Sequence, residues 1–268
     1  MKSKEEYLPG YTPNASSFMA NRTAQSHAAF VLPKLRPGSR LLDCGCGPGS
    51  ITLGLAQLIS PGKVVGLDRE SSQLEIARGS AAKMGLTTIR FESGSVYALP
   101  LADSSFDVAF AHAVFEHLRE PMAALAEIRR VLVPGGLIAL RSPDWGGFLL
   151  APETEELTAA IAYYQSLQAQ SGGDVHVGRK FKALLRRAGF EDLEFSASYE
   201  CYGSLEVIGE YLAQRIELSG NLDGASVDQR QTQRFAATLR DWYRSEDGLF
   251  AQSWCEILGT KRTSAANR

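Results

Sequence analysis

The sequence predicts an α/β fold, a doubly wound and mostly parallel sheet with helices on both faces, and three observations carry that expectation. The first is the stretch Leu41-Leu42-Asp43-Cys44-Gly45-Cys46-Gly47-Pro48-Gly49-Ser50, where an apolar run enters an acid and then alternating glycines, after which Ile51, Leu55 and Leu58 recur at helical spacing. Such a run suits a buried parallel strand, the glycines let a ligand approach the backbone, and the free N–H groups at the helix start form a slightly positive rim. The second is Val64-Val65-Gly66-Leu67-Asp68, another apolar run that ends in an acid. The third is the continued alternation of strand-like and helix-like segments as far as Leu140, which calls for a parallel sheet.

Taken in order, residues 1–14 carry Pro9, Gly10 and Pro13, and a helix is expected from Ser16 to Leu32, ended by Pro33 and Pro37. Tyr7, Tyr11 and Phe18 lie on this arm, fit either for packing or for a lid over a site. After Asp68, Ser71 to Met84 reads as a helix with Leu74, Ala77 and Ala81 inward, stopped by Gly85, and Thr88 to Glu92 reads as the third strand. Phe106 to Ala111 is apolar enough for a central fourth strand. Met122, Leu125, Ile128, Arg129 and Leu132 follow a helical pattern before Pro134, and Gly136 to Leu140 makes the fifth strand. Helices are expected over Glu153–Gln170 and around Phe181–Ala188, the latter capped by Gly189, with Lys180, Lys182, Arg186 and Arg187 as its solvated face. Leu193 to Tyr199 is a sixth strand, 204–245 a helical insertion split near Gly220 to Gly224, and Leu249 to Leu258 the last strand. With no repeat and no long linker, one domain is expected: an N-terminal arm and helix over 1–35, a sheet core over 36–200 and 246–260, and a helical cap over 204–245.

With 44% hydrophobic and 22% charged residues among 268, the composition is that of a globular protein with a sizeable core. A formal net charge of −2 gives no overall basic field, which argues against a nucleic acid partner. Four cysteines are too few for a disulfide framework in a chain of this length, so a reducing, cytoplasmic setting is expected. No window approaches the roughly eighteen consecutive apolar residues of a membrane span. Cys44 and Cys46 have no second pair and no histidine at ligand spacing, so no metal is expected.

Spacing within the glycine loop selects the cofactor. A dinucleotide fingerprint, G-x-G-x-x-G, would place its third glycine where this chain has Ser50, and Gly49 comes one residue early. Asp43, two residues before the first glycine, would repel a pyrophosphate and suits a ligand with a cationic end, an ammonium or a sulfonium. Asp68 stands at about the separation expected of a carboxylate that accepts from both ribose hydroxyls. S-adenosylmethionine has the required cationic groups and the ribose. At this point the chain resembles the class I S-adenosylmethionine-dependent methyltransferases, in particular the small-molecule branch that includes the ubiquinone and menaquinone biosynthesis methyltransferases. The resemblance rests on an ordered set: Arg22-Thr23-Ala24, the glycine loop, Gly94-Ser95-Val96-Tyr97-Ala98-Leu99-Pro100, Ser105-Phe106-Asp107, Glu116-His117-Leu118 and Arg130-Val131-Leu132-Val133-Pro134-Gly135-Gly136. It implies a Rossmann-like sheet of seven strands, six parallel and the last antiparallel, with the cap over the carboxyl ends. It also implies that Arg22 reaches the methionine carboxylate, to which a guanidinium is suited. The family usually has Gly-Asp where this chain has Gly94-Ser95, so Ser95 and the Val96 N–H are left to meet the adenine, with a weaker acceptor than a carboxylate.

In an open parallel sheet the ligand lies beyond the carboxyl ends of the strands, which directs attention to His112, Glu116, His117, Arg141 and Asp144 after strands four and five. The candidate cofactor residues are Arg22, Asp43, Gly45, Gly47, Asp68, Arg69, Ser95, Val96 and His112; the candidate catalytic residues are His117, His112 and Asp144. Methyl transfer from a sulfonium needs alignment above all, and a base only for a hydroxyl or phenol acceptor, where an imidazole titrating close to neutral pH could take the proton. Tyr199, Tyr202, Trp242 and Tyr243 around the cap suit an apolar or planar acceptor. The expected activity is therefore methylation of a small, apolar or aromatic metabolite. An NAD-type oxidoreductase and a non-methylating S-adenosylmethionine-binding protein remain as alternatives, and the oligomeric state is open. The RNA and protein amide methyltransferases are set apart by a Pro-Pro-aromatic signature that Ala111-His112-Ala113-Val114-Phe115 does not match.

Overall fold

The computed structural model describes residues 21–202, 204–219 and 228–263. The aromatics Tyr7, Tyr11 and Phe18 and the split near Gly220 to Gly224 lie outside them. Five parallel strands set the frame: β1 (Arg40–Cys44), β2 (Lys63–Asp68), β3 (Ile89–Ser93), β4 (Phe106–His112) and β5 (Leu132–Pro143), in the order β3-β2-β1-β4-β5. The chain reverses direction around β1, so the crevice between β1 and β4 is a topological switch point at which such sheets bind ligands. The long strand β8 (Leu249–Lys261) runs antiparallel to β5 and to β7 (Phe190–Cys201), which aligns β7 with the first five. The expected six parallel strands and one antiparallel are present. An eighth, the three-residue β6 (Leu149–Ala151), also pairs with β8 and is too short to leave a sequence period.

Alternating side chains feed two cores because the strand period is two. Leu42, Val65, Ala109, Ile138 and Leu140 pack with α4 (Pro121–Val131) and α6 (Val177–Arg187) on one face. Leu41, Val64, Phe110, Ala139 and Leu258 pack on the other with α1 (Ala24–His27) and α2 (Ser50–Leu58), beside which α3 (Ser71–Lys83) buries Leu74, Ala77 and Ala81. A third core lies beyond the carboxyl ends of β5 and β7, where α5 (Glu155–Gln170), α7 (Leu205–Ser219) and α8 (Gln229–Tyr243) bury Ile161, Tyr164, Leu212, Ile216, Phe235 and Leu239 together. Within the described residues this helical layer includes α5 as well as α7 and α8.

Two expectations are corrected. The helix expected from Ser16 to Leu32 is, within the described residues, the single turn α1 followed by a 3-10 turn at Leu32–Lys34. Thr23 is extended (φ −127°, ψ 159°) and its hydroxyl accepts from the Ser26 N–H, so it starts a helix and cannot lie inside one. The α4 helix ends at Val131, and Leu132 already pairs with Phe106. The register then slips, Val108 facing Leu137, so that Pro134 and the glycines after it form a bulge inside β5.

Candidate active site

The carboxyl ends of β1, β2, β3 and β4 open into a cavity of about 1030 Å³, including its mouth. Every cofactor residue expected from sequence lines it, and so does His117; Asp144 does not. Its floor is the glycine loop, where Gly45, Gly47 and Gly49 have φ of 74°, 52° and 81°, left-handed values that suit glycine. A Cβ on Gly45 would collide with the Val114 side chain, so glycine there also permits the loop after β4 to close on the floor.

Two carboxylates face this floor. Asp43 is buried, accepts from the Thr52 hydroxyl at 2.6 Å, and is pushed by that burial to a pKa of about 7, the Thr52 bond opposing the shift and Asp68 adding to it. A cation beside it would draw it back towards its ionised form. Asp68 accepts from the Gly47 N–H at 2.8 Å and from the Glu70 N–H at 3.0 Å, which pins its carboxylate between the glycine loop and α3. Burial raises its pKa, against these N–H bonds. A carboxylate has about four acceptor sites, so both oxygens keep capacity for hydroxyl donors. Ser95 accepts from the Tyr97 N–H at 3.2 Å and sits at the cavity edge after β3.

The opposite wall is the turn after β4. Ala113 has a φ of 55°, an uncommon value for a side-chain-bearing residue, held by its N–H bond to the Arg141 carbonyl at 2.9 Å. His117 follows in a 3-10 turn, Phe115–His117. Burial, then the charges of Arg22 and Arg69, lower its pKa to about 3. Its Nε2 lies 3.6 Å from Oε1 of Glu116, which is itself buried, accepts from the Ser142 hydroxyl at 2.7 Å and is pushed up to about 7 by desolvation. The expectation of imidazoles that titrate near neutrality is therefore corrected: His117 is neutral throughout the physiological range.

His112 is likewise held neutral, far below its ordinary value, by burial and by Arg22 and Arg141. Arg141 Nη1 donates to its Nε2 at 2.7 Å, which occupies that lone pair and leaves the proton on Nδ1. A base role for His112 does not survive this geometry. Asp144 is corrected too. Its carboxylate turns to α6, where Arg179 grips it through Nε at 2.7 Å, and the Gly146 N–H donates to it at 2.9 Å, so it anchors that helix and stays out of the cavity. Of the four aromatics expected around the acceptor, Trp242 donates to the Ala151 carbonyl and Tyr243 to Glu210, both within the cap. Tyr199 is exposed and donates to the Gly147 carbonyl, while Tyr202 stacks on Phe250.

Sequence reasoning overlooked Trp254, Glu200 and His27, which flank His112 on the same side of the sheet. One signal was available: Arg141 and Glu256 are charges in otherwise apolar strands, and they pair directly across β5 and β8 with Nε to Oε1 at 3.1 Å. Among the described residues there is no group of His, Cys, Asp and Glu arranged to hold a metal, and no helix is long and apolar enough to cross a membrane.

Residues 35–189 match the family model of the methyltransferase domain. The chain belongs to that family. The methyltransferase is 28% identical, over 94% of its length and 96% of the relative's, to an uncharacterized methyltransferase of Schizosaccharomyces pombe. It is 30% identical to the demethylmenaquinone methyltransferase of Lactococcus lactis, covering 59% of this chain and 68% of that one. Its fold is that of a methyltransferase-like protein of known structure from Bacillus halodurans, with a TM-score of 0.63 at 18% identity over 89% of this chain and all (100%) of the other. As a member of this family the methyltransferase uses S-adenosylmethionine, and the family decides against the oxidoreductase alternative.

Proposed function

We propose that the cavity holds S-adenosylmethionine and presents its methyl group to a small apolar or aromatic metabolite under the cap. One observation carries this reading: the acids Asp43 and Asp68, the loop glycines, Ser95 and Val96 line the same cavity as His112 and His117. The donor set fits the group. Asp68 keeps acceptor capacity for ribose hydroxyls, buried Asp43 suits the cationic end, and Ser95 and Val96 lie where adenine is expected. Arg22 would meet the methionine carboxylate, with Arg69, Gly45 and Gly47 completing the enclosure. When bound, the cofactor supplies an electrophilic methyl on a sulfonium. The chain orients the acceptor, excludes water and, for a hydroxyl acceptor, takes its proton at His117 only as the methyl bonds to the oxygen, when that proton becomes acidic enough for an imidazole with a pKa of about 3. Glu116 at 3.6 Å, in its ionised form, would balance the imidazolium so formed. The net charge of −2 supports a small acceptor over a nucleic acid.

Tritium-labelled S-adenosylmethionine offered with a panel of phenols and naphthols tests this. Labelled ether products are expected, with single-turnover rates falling about a hundredfold in His117→Ala, the low end for a lost acid–base group, and S-adenosylhomocysteine binding unchanged. Parental rates in His117→Ala, or label transferred only to nitrogen or carbon acceptors, would remove the hydroxyl reading.

A further inference from the structure

The sheet face that carries α1 ends, beyond Phe110 and Leu258, in a polar cluster. The alternation that places Phe110 and Leu258 in this core puts His112, Arg141, Glu256 and Trp254 on the same side, with β7 adding Ser196, Ser198 and Glu200. Most of its polar atoms are matched. Glu256 accepts from Arg141, Ser196 and Ser198, and Glu200 Oε1 meets His27 Nε2 at 3.3 Å. Three buried polar atoms are not matched among the described residues: His112 Nδ1, Trp254 Nε1 and Glu200 Oε2, none of which reaches another residue. They belong to one patch, since the His112 ring stacks on Trp254 at 4.8 Å and meets His27, the partner of Glu200, edge-on at 5.3 Å.

The chemistry of the three atoms is defined. Because Arg141 donates to His112 Nε2, His112 Nδ1 carries a hydrogen; the Trp254 indole can only donate, and a glutamate oxygen accepts. A buried polar group left unmatched is costly, so three in one place call for an occupant. The charge around them is balanced, Arg22 and Arg141 against Glu200 and Glu256, which favours a neutral occupant over a carboxylate or an amine. Burial opposes the ionisation of Glu200, yet His27 and the two arginines outweigh it and keep it ionised as an acceptor. His112 and Arg22 also line the cofactor cavity, and Arg22 reaches to 5.9 Å from the Trp254 ring, so the patch adjoins the site directly.

We infer that His112, Trp254 and Glu200 form a polar subsite of the acceptor pocket that takes a neutral oxygen function, a hydroxyl that accepts from His112 and Trp254 and donates to Glu200. The subsite deepens the proposed function and rests on it. It gives His112 a recognition role in place of the base role that Arg141 removes, and it selects hydroxylated acceptors over their hydrocarbon and carboxylate analogues.

Indole N–H NMR of the protein saturated with S-adenosylhomocysteine tests this, with the Trp254 signal assigned by Trp254→Phe, which keeps a ring against His112 and Arg141. Phenol is the probe, with toluene and benzoate as comparators. Phenol is expected to move the Trp254 signal while toluene leaves it in place and benzoate binds at least fivefold more weakly. Trp254→Phe and Glu200→Gln should each weaken phenol about fivefold, the ordinary worth of one hydrogen bond. An unmoved Trp254 signal at saturating phenol, equal shifts with toluene, or phenol affinity unchanged in both variants would overturn the subsite and leave ordered water as the occupant. A separate calorimetric titration with S-adenosylhomocysteine keeps the two claims apart: its failure would count against the cofactor site, whereas binding there with a silent Trp254 counts only against the subsite.

Discussion

Asp68 and Asp43 do opposite kinds of work on the same ligand. Asp68 is fixed by two backbone N–H groups, so its loss removes hydrogen bonds without disturbing a core, and Asp68→Ala is expected to weaken S-adenosylmethionine by about 1.5–3 kcal/mol in calorimetry, with folding retained. Asp43 is buried with a pKa of about 7, above its unfolded value of 3.8. A carboxyl raised in this way stabilises the protein below the unfolded value, and that contribution is lost as pH rises through about 7. The melting temperature of the cofactor-free protein should therefore fall from pH 5 towards pH 8, less steeply in Asp43→Asn; Glu116, also at about 7, adds a slope of the same sign. Cofactor affinity should move the other way, rising with pH and levelling off above about 7, because a cationic ligand needs the ionised form. A flat affinity profile in the parent would show that Asp43 does not face the cation. Ser95→Asp should tighten cofactor binding by supplying the acceptor that related enzymes usually carry; a loss of affinity would mean that adenine meets this edge differently. These residues were legible because each sits at a fixed distance from a strand end. The state of His112 was not, since it depends on Arg141 from a neighbouring strand.

At the scale of elements, β1 to β4 and the helices between them could be read from periodicity, because local hydrophobic spacing and tertiary burial agree there. They disagree at α1, where Thr23 caps a single turn in place of the long helix expected, and at β6, three residues whose strand character comes only from pairing with β8. The start of β8 joins the cap to the sheet. Phe250 is 2% exposed and packs against Trp145, Phe148, Tyr202 and Trp242. Phe250→Ala is expected to destabilise the protein by about 3–5 kcal/mol in denaturant unfolding, from lost transfer energy and the cavity left behind. S-adenosylhomocysteine affinity should stay within about twofold of the parent, because Phe250 lies outside the cavity lining. A parallel loss of cofactor affinity would show that cap and cofactor site are energetically coupled.

At the scale of the molecule, the sheet supplies a cavity that was largely visible in sequence, whereas the packing of the cap was not. The cap and the strand ends beside it bring together α5, α7, α8, β7 and β8, segments far apart in the chain whose mutual placement no local pattern encodes. Trp254, for example, reads simply as a member of the last strand, and Glu200 as the residue after the sixth, until β7 and β8 pair. Asp144 reads as catalytic from its position after β5 until Arg179 is seen to hold it. The most direct test of the account is a crystal structure with S-adenosylhomocysteine bound. Ribose hydroxyls are expected on Asp68, adenine beside Ser95 and Val96, and the sulfur turned towards His117 and the patch of His112, Trp254 and Glu200. A sulfur directed instead to the solvent side of Ser95 and Tyr97, or a ribose held away from Asp68, would contradict it.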